Sequence, residues 1–115
     1  MYYRQCFAGQ FNAKGKVYNL EIVFPDIFKT KAEALKTAFC VCLKRIDGEA
    51  TICIEGSTRR IIRWEEWYKY KLAVCVGNPS NYYDDFEPFR GTFEDLISNE
   101  EIIVQCIGVA ARMTD

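Results

Sequence analysis

A chain of 115 residues with 15 Lys and Arg against 16 Asp and Glu carries a formal charge of −1 and contains no histidine. Balanced charge argues against a general polyanion binder, whose usual footprint is a strongly basic domain, and the missing imidazole excludes Ser-His-Asp and Cys-His catalysis and every zinc site that needs histidine. Half of the residues are apolar and 15% are aromatic, unlike disordered chains, so residues 1–115 are expected to form one packed domain with disorder confined to the end, around Met113 to Asp115.

The opening reads as a hairpin: Tyr3, Phe7 and Phe11 share one parity, and Tyr18, Leu20, Ile22 and Phe24 alternate with Val17, Asn19, Glu21 and Val23. Asn12 to Lys16, with Gly15, forms its turn, and Pro25-Asp26 breaks the second strand. Thr30 followed three residues later by Glu33 has the form of a capping box. Behind it Leu35, Ala38, Phe39, Cys42, Leu43 and Ile46 follow the i, i+3, i+4, i+7 spacing of a buried helical stripe, with Lys44 and Arg45 in the last turn and Gly48 as a left-handed stop. The spacing predicts a long helix over about residues 31–46, packed on a sheet face.

Ala50 to Glu55 reads as a strand with Ile52 and Ile54 inward, followed by a turn at Gly56-Ser57-Thr58. From Ile62 to Val76 the even positions are apolar except Glu66, which favours one bent strand or two successive ones, with Trp64, Tyr68 and Tyr70 turned to the core. A helix over residues 60–70 competes, because Ile61, Trp64, Tyr68 and Leu72 also fit a helical stripe. Residues 77–91 carry the Gly, Pro, Asn and Asp punctuation of a long loop. Thr92 with Asp95 then caps a short helix over about 93–98, and Glu101 to Ala110 forms a nearly all-apolar final strand, expected mid-sheet with both faces covered. The order predicts an α+β fold: a mixed or antiparallel sheet of about five strands with the long and the short helix packed on it.

No run of about 18 apolar residues occurs, and Met1 to Cys6 lacks a signal-peptide profile, so a soluble, cytoplasmic protein is expected. The six cysteines, Cys6, Cys40, Cys42, Cys53, Cys75 and Cys106, each lie in apolar surroundings and are expected to be reduced, buried and structural. Cys40 and Cys42, two apart on the expected helix, would point to different faces, so no metal site is expected. Phosphate-binding, dinucleotide-binding and hydrolase signatures are all missing. The carboxylate cluster Asp84, Asp85 and Glu87 could supply an acid and a base, but on a loop it reads as solvated charge. Neither catalytic residues nor a cofactor is expected.

Two constellations remain. Tyr82, Tyr83, Asp84, Asp85, Phe86 and Arg90, on the long loop, combine the aromatics and arginine enriched at protein interfaces, and they form the expected partner-binding site; the bland alternative is that Phe86 and Phe89 plug one end of the core. Arg59, Arg60, Arg63, Trp67, Lys69 and Lys71 alternate basic and aromatic character. On a strand, Arg63, Trp67, Lys69 and Lys71 would share a face able to stack a base, at about 1–3 kcal/mol per contact, and to neutralise phosphates. The expected function is therefore a small non-enzymatic binding protein. By analogy of size with accessory proteins of phages and mobile elements, it would bind and inhibit a host factor. A nucleotide or single-stranded nucleic-acid module is the alternative, and a homodimer or larger homo-oligomer with an exposed edge strand is the third reading.

Overall fold

The computed structural model describes residues 1–36, 40–56, 59–76, 95–97 and 101–114, with the side chains of Trp64, Trp67, Ala73 and Cys75 outside that set. Strands β1 (Tyr2–Ala13) and β2 (Lys16–Val23) form the expected hairpin, with Phe7 opposite Ile22 and Phe11 opposite Tyr18. Lys14 (φ 50°) and Gly15 (φ 76°) make the two-residue turn, both left-handed as a twisted hairpin prefers. Alternation does the rest: Phe7, Phe11, Tyr18, Leu20 and Ile22 all point into the core, and the Phe11 and Tyr18 rings stack at 5.4 Å.

Thr30 caps a helix as its sequence indicates, its Oγ1 accepting from the Glu33 amide at 3.2 Å. That helix, α1, spans only Lys31–Leu35. The expected long helix over about 31–46 does not form; Cys40–Ile46 is strand β3, paired antiparallel with β4 (Glu49–Glu55). Val41 and Leu43 enter the core on alternate positions and meet Ile54 and Ile52 across the ladder. The overlooked signal is Asp47-Gly48: at φ 54° and 80° these residues form a hairpin turn, so Gly48 reverses a strand rather than stopping a helix.

Strand β5 (Arg60–Ile62) adds to β4, a 3-10 helix covers Trp64–Tyr70, and β6 (Ala73–Val76) adds to β2. The continuous strand preferred for residues 62–76 is thus interrupted. β5 and β6 lie at opposite ends of the strand order β5-β4-β3-β7-β1-β2-β6, and the 3-10 segment, closed by Lys71 in the left-handed region at φ 43°, makes that crossing. Tyr70 stays half-buried, edge-on to Phe24 at 6.0 Å, whereas Tyr68 is 73% exposed rather than in the core.

The last strand, β7 (Ile102–Thr114), joins the two halves of the sheet. Ile102 to Val104 pair with β3, and Gln105 to Thr114 pair with β1. The switch occurs near a bulge that leaves Ile107 between the partners of Ala8 and Gly9. Bulges add bend and twist to a strand, and one apolar cluster takes in Phe7, Leu20 and Ile22 from one half and Leu43, Ile52, Ile54 and Ile62 from the other. β7 is central in strand order, but its faces are not both covered: Ile103 is 69% and Ile107 57% exposed.

The expected α+β arrangement of about five strands with two packed helices therefore gives way, among the described residues, to an antiparallel seven-stranded sheet with the short helix α1 and the 3-10 segment as its named helical elements. Of the short helix expected over about 93–98, Asp95 and Leu96 are helical, and 93, 94 and 98 lie outside the described residues. Among the described residues no helix is long and apolar enough to cross a membrane.

Candidate functional site

The basic residues of the 59–71 stretch are built into separate places. Arg60, on β5, donates to Asp26 Oδ2 at 2.6 Å, and this hydrogen bond is the main cause that raises the guanidinium pKa above its ordinary value. Arg63, which caps the 3-10 helix, donates to Glu49 Oε2 at 3.0 Å and lies 3.8 Å from Asp47 Oδ2, at the β3–β4 turn. Lys71 lies within electrostatic reach of Cys6, on the opposite half of the sheet, where Arg112 bonds Glu21 at 3.2 Å. Lys69 sits over the exposed Tyr68 ring at 5.9 Å.

A strand would have aligned Arg63, Trp67, Lys69 and Lys71 on one face, whereas in the 3-10 helix successive side chains fan around the axis. The geometry does not gather these groups into one basic stripe, and two of the arginines have carboxylate partners. Arg59 is exposed, and among the described residues Arg59, Lys69 and Lys71 carry no ion pair. The Trp67 side chain lies outside the described set.

Tyr82, Tyr83, Asp84, Asp85, Phe86 and Arg90 also lie outside the described residues, as do Glu87 and Phe89. Both attachment points of their segment are described. On one side β6 pairs with β2 from Tyr18↔Val76 to Glu21↔Ala73; on the other Leu96 and Ile97 are buried in the main cluster.

The cysteines are arranged differently from expectation. Cys6, Cys42 and Cys53 are buried, but Cys40 and Cys106 are exposed, so burial does not hold for all six; Cys75 has no described side chain. Cys40 and Cys42 lie two apart on a strand and hence share a face, with Cys53 directly opposite Cys42 on β4. Burial is the main cause that pushes the Cys42 thiol up to about 12, aided by Glu101, which keeps it protonated and a poor nucleophile or metal ligand. No group of three or more Cys, Asp or Glu able to hold a metal ion occurs among the described residues. Comparison of the chain with protein families, curated proteins and solved structures finds no significant match.

Proposed function

We propose that the chain is a small, non-enzymatic, cytoplasmic protein-binding domain that engages its partner through residues 78–91 and acts by blocking that partner. The observation that carries this reading is the anchoring of the segment: Val76 ends a paired strand before it and Leu96 and Ile97 are buried after it. A binding loop between rigid elements is a common way to present an interaction surface. The segment supplies Tyr82, Tyr83, Phe86 and Phe89 among Asp84, Asp85 and Glu87, a composition complementary to an apolar partner surface rimmed by Lys and Arg.

Affinity purification tests it, with the wild-type chain run beside a Tyr82→Ala/Tyr83→Ala/Phe86→Ala variant and an Asp84→Lys/Asp85→Lys variant. A specific partner retained by the wild type and lost from both variants is the expected result. Equal recovery with all three chains refutes the site.

The nucleic-acid alternative draws on the exposed Lys69–Tyr68 pair and the exposed Arg59, but the Arg60 and Arg63 ion pairs oppose it. Tryptophan fluorescence titrated with single-stranded RNA at two salt concentrations separates the readings. Saturable quenching that weakens with salt would favour the polynucleotide.

A further inference from the structure

Arg4, Cys6 and Ala8 occupy the face of β1 turned away from the core residue Phe7, and cations gather on that face around Cys6. Arg4 stands directly opposite Arg112 across the β1–β7 ladder, where Cβ atoms lie about 4.5–5.5 Å apart and like charges oppose pairing. Arg112 turns its guanidinium over β1 to Glu21 of β2, at 3.2 Å. Lys71 stands two residues ahead of Ala73, the β6 partner of Glu21, and acts together with Arg112 on the Cys6 thiol. Arg4 is half-buried, and its enclosed Nε has no hydrogen-bond partner among the described residues. A buried donor without an acceptor destabilises a fold, and a bound ion or water is a common resolution.

The charges select the ligand. Arg4, Arg112 and Lys71 supply three positive charges against one negative from Glu21, leaving two. Burial raises the Cys6 thiol above its ordinary value, so it stays neutral near neutral pH and takes nothing from that balance. We propose that Arg4, Arg112 and Lys71 bind a phosphate group, free or carried as a phosphomonoester, on the face of β1 and β7 turned away from the core.

A phosphomonoester carries a charge of about −1.5 to −2 near neutral pH, which matches the local excess. Each guanidinium offers a fork of parallel N–H donors to phosphate oxygens, and lysine adds a point charge. An anion between the facing arginines relieves their repulsion and accepts from Arg4, which has no described bond to give up. One compact cluster on a chain of net charge −1 suits a single phosphate group and not a polyanion. The site does not involve residues 78–91 and is independent of the partner-binding reading.

Amide NMR titration of the full chain with inorganic phosphate and with phenyl phosphate is the test, with sodium acetate as the monoanionic control and ionic strength held constant. Saturable shifts centred on Arg4, Cys6 and Arg112 are expected with a phosphate, together with a Kd about tenfold weaker or more in Arg4→Gln and in Lys71→Gln. Tighter binding of phenyl phosphate assigns the group to a larger molecule; equal or tighter binding of inorganic phosphate assigns it to the free ion. Lys71 is exposed, so Lys71→Gln is the variant that decides if Arg4→Gln fails to fold. Shifts that do not saturate or that centre elsewhere, acetate bound as tightly as phosphate, or an unchanged Kd in a folded variant overturns the proposal.

Discussion

At Gly9 the backbone of β1 lies against Val104 and Gln105 of β7, and a single added methyl group there measures how tightly. A Cβ at Gly9 would overlap Val104 Cγ1 and stand 2.8 Å from Phe7 Cε1 and 3.1 Å from the Gln105 carbonyl oxygen. Val104 and Phe7 are buried and the third neighbour is backbone, so no loose side-chain end can swing away. Gly9 is not among the glycines with positive φ, so the cost of Gly9→Ala is steric rather than conformational. Overpacking of this kind costs about 1–3 kcal/mol, offset by about 0.4–1 kcal/mol from the lower entropy of the unfolded alanine chain. A net loss of about 1–2 kcal/mol follows. With about 2.1 cal/mol/K of unfolding entropy per residue, a chain of this length loses roughly 4 °C of Tm per kcal/mol, so calorimetry is expected to show a fall of about 4–8 °C. Val104→Ala removes the nearest obstructing atom, and its cost in the Gly9→Ala background is expected to be about 1 kcal/mol smaller than in the wild type. A Gly9→Ala protein as stable as the wild type, or a double mutant that is simply additive, refutes the argument from close approach.

Two further outcomes test the electrostatics. The Arg60–Asp26 pair is exposed by about a third or more on both sides, so a urea-denaturation cycle of Arg60→Ala with Asp26→Ala is expected to give a coupling of about 0.2–1 kcal/mol that shrinks with salt; a coupling above about 2 kcal/mol contradicts a solvent-screened pair. Burial raises the Cys42 thiol from 9.0 to about 12 in the folded chain, so the unfolded chain releases its proton first. The stability from this group is complete below about pH 9 and is lost as pH rises toward about 12. Tm measured over that range is expected to fall less steeply for Cys42→Ala than for the wild type, and parallel slopes refute the assignment.

Local chemistry made several elements legible in the sequence. The first hairpin follows from period-two alternation and a Lys14-Gly15 turn, and Thr30 caps a helix because its hydroxyl reaches the Glu33 amide. Ile52 and Ile54 face inward as their spacing indicates. Of the long helix expected over about 31–46, Cys40 to Ile46 is a strand, because Leu43 and its neighbours satisfy both a helical and a strand period and periodicity alone does not choose. Asp47-Gly48 held the deciding local signal, a hairpin turn. The candidate site was legible only as composition. The expected alignment of Arg63, Lys69 and Lys71 depended on a strand that the 3-10 segment replaces.

By itself the sequence determined the chemistry open to this chain: with no histidine, no imidazole catalysis or ligation, and with half its residues apolar, a packed core. Only the tertiary structure decided that β3 is a strand, because a second apolar strand, β4, lies across the hairpin to satisfy its backbone and bury Val41 and Leu43. It likewise decided that β7 is central and changes partner along its length, from β3 at Ile102 to Val104 to β1 beyond. Which strand stops short beside which neighbour depends on how the halves of the sheet meet at the bulge near Gly9, and no local pattern of side chains encodes that meeting.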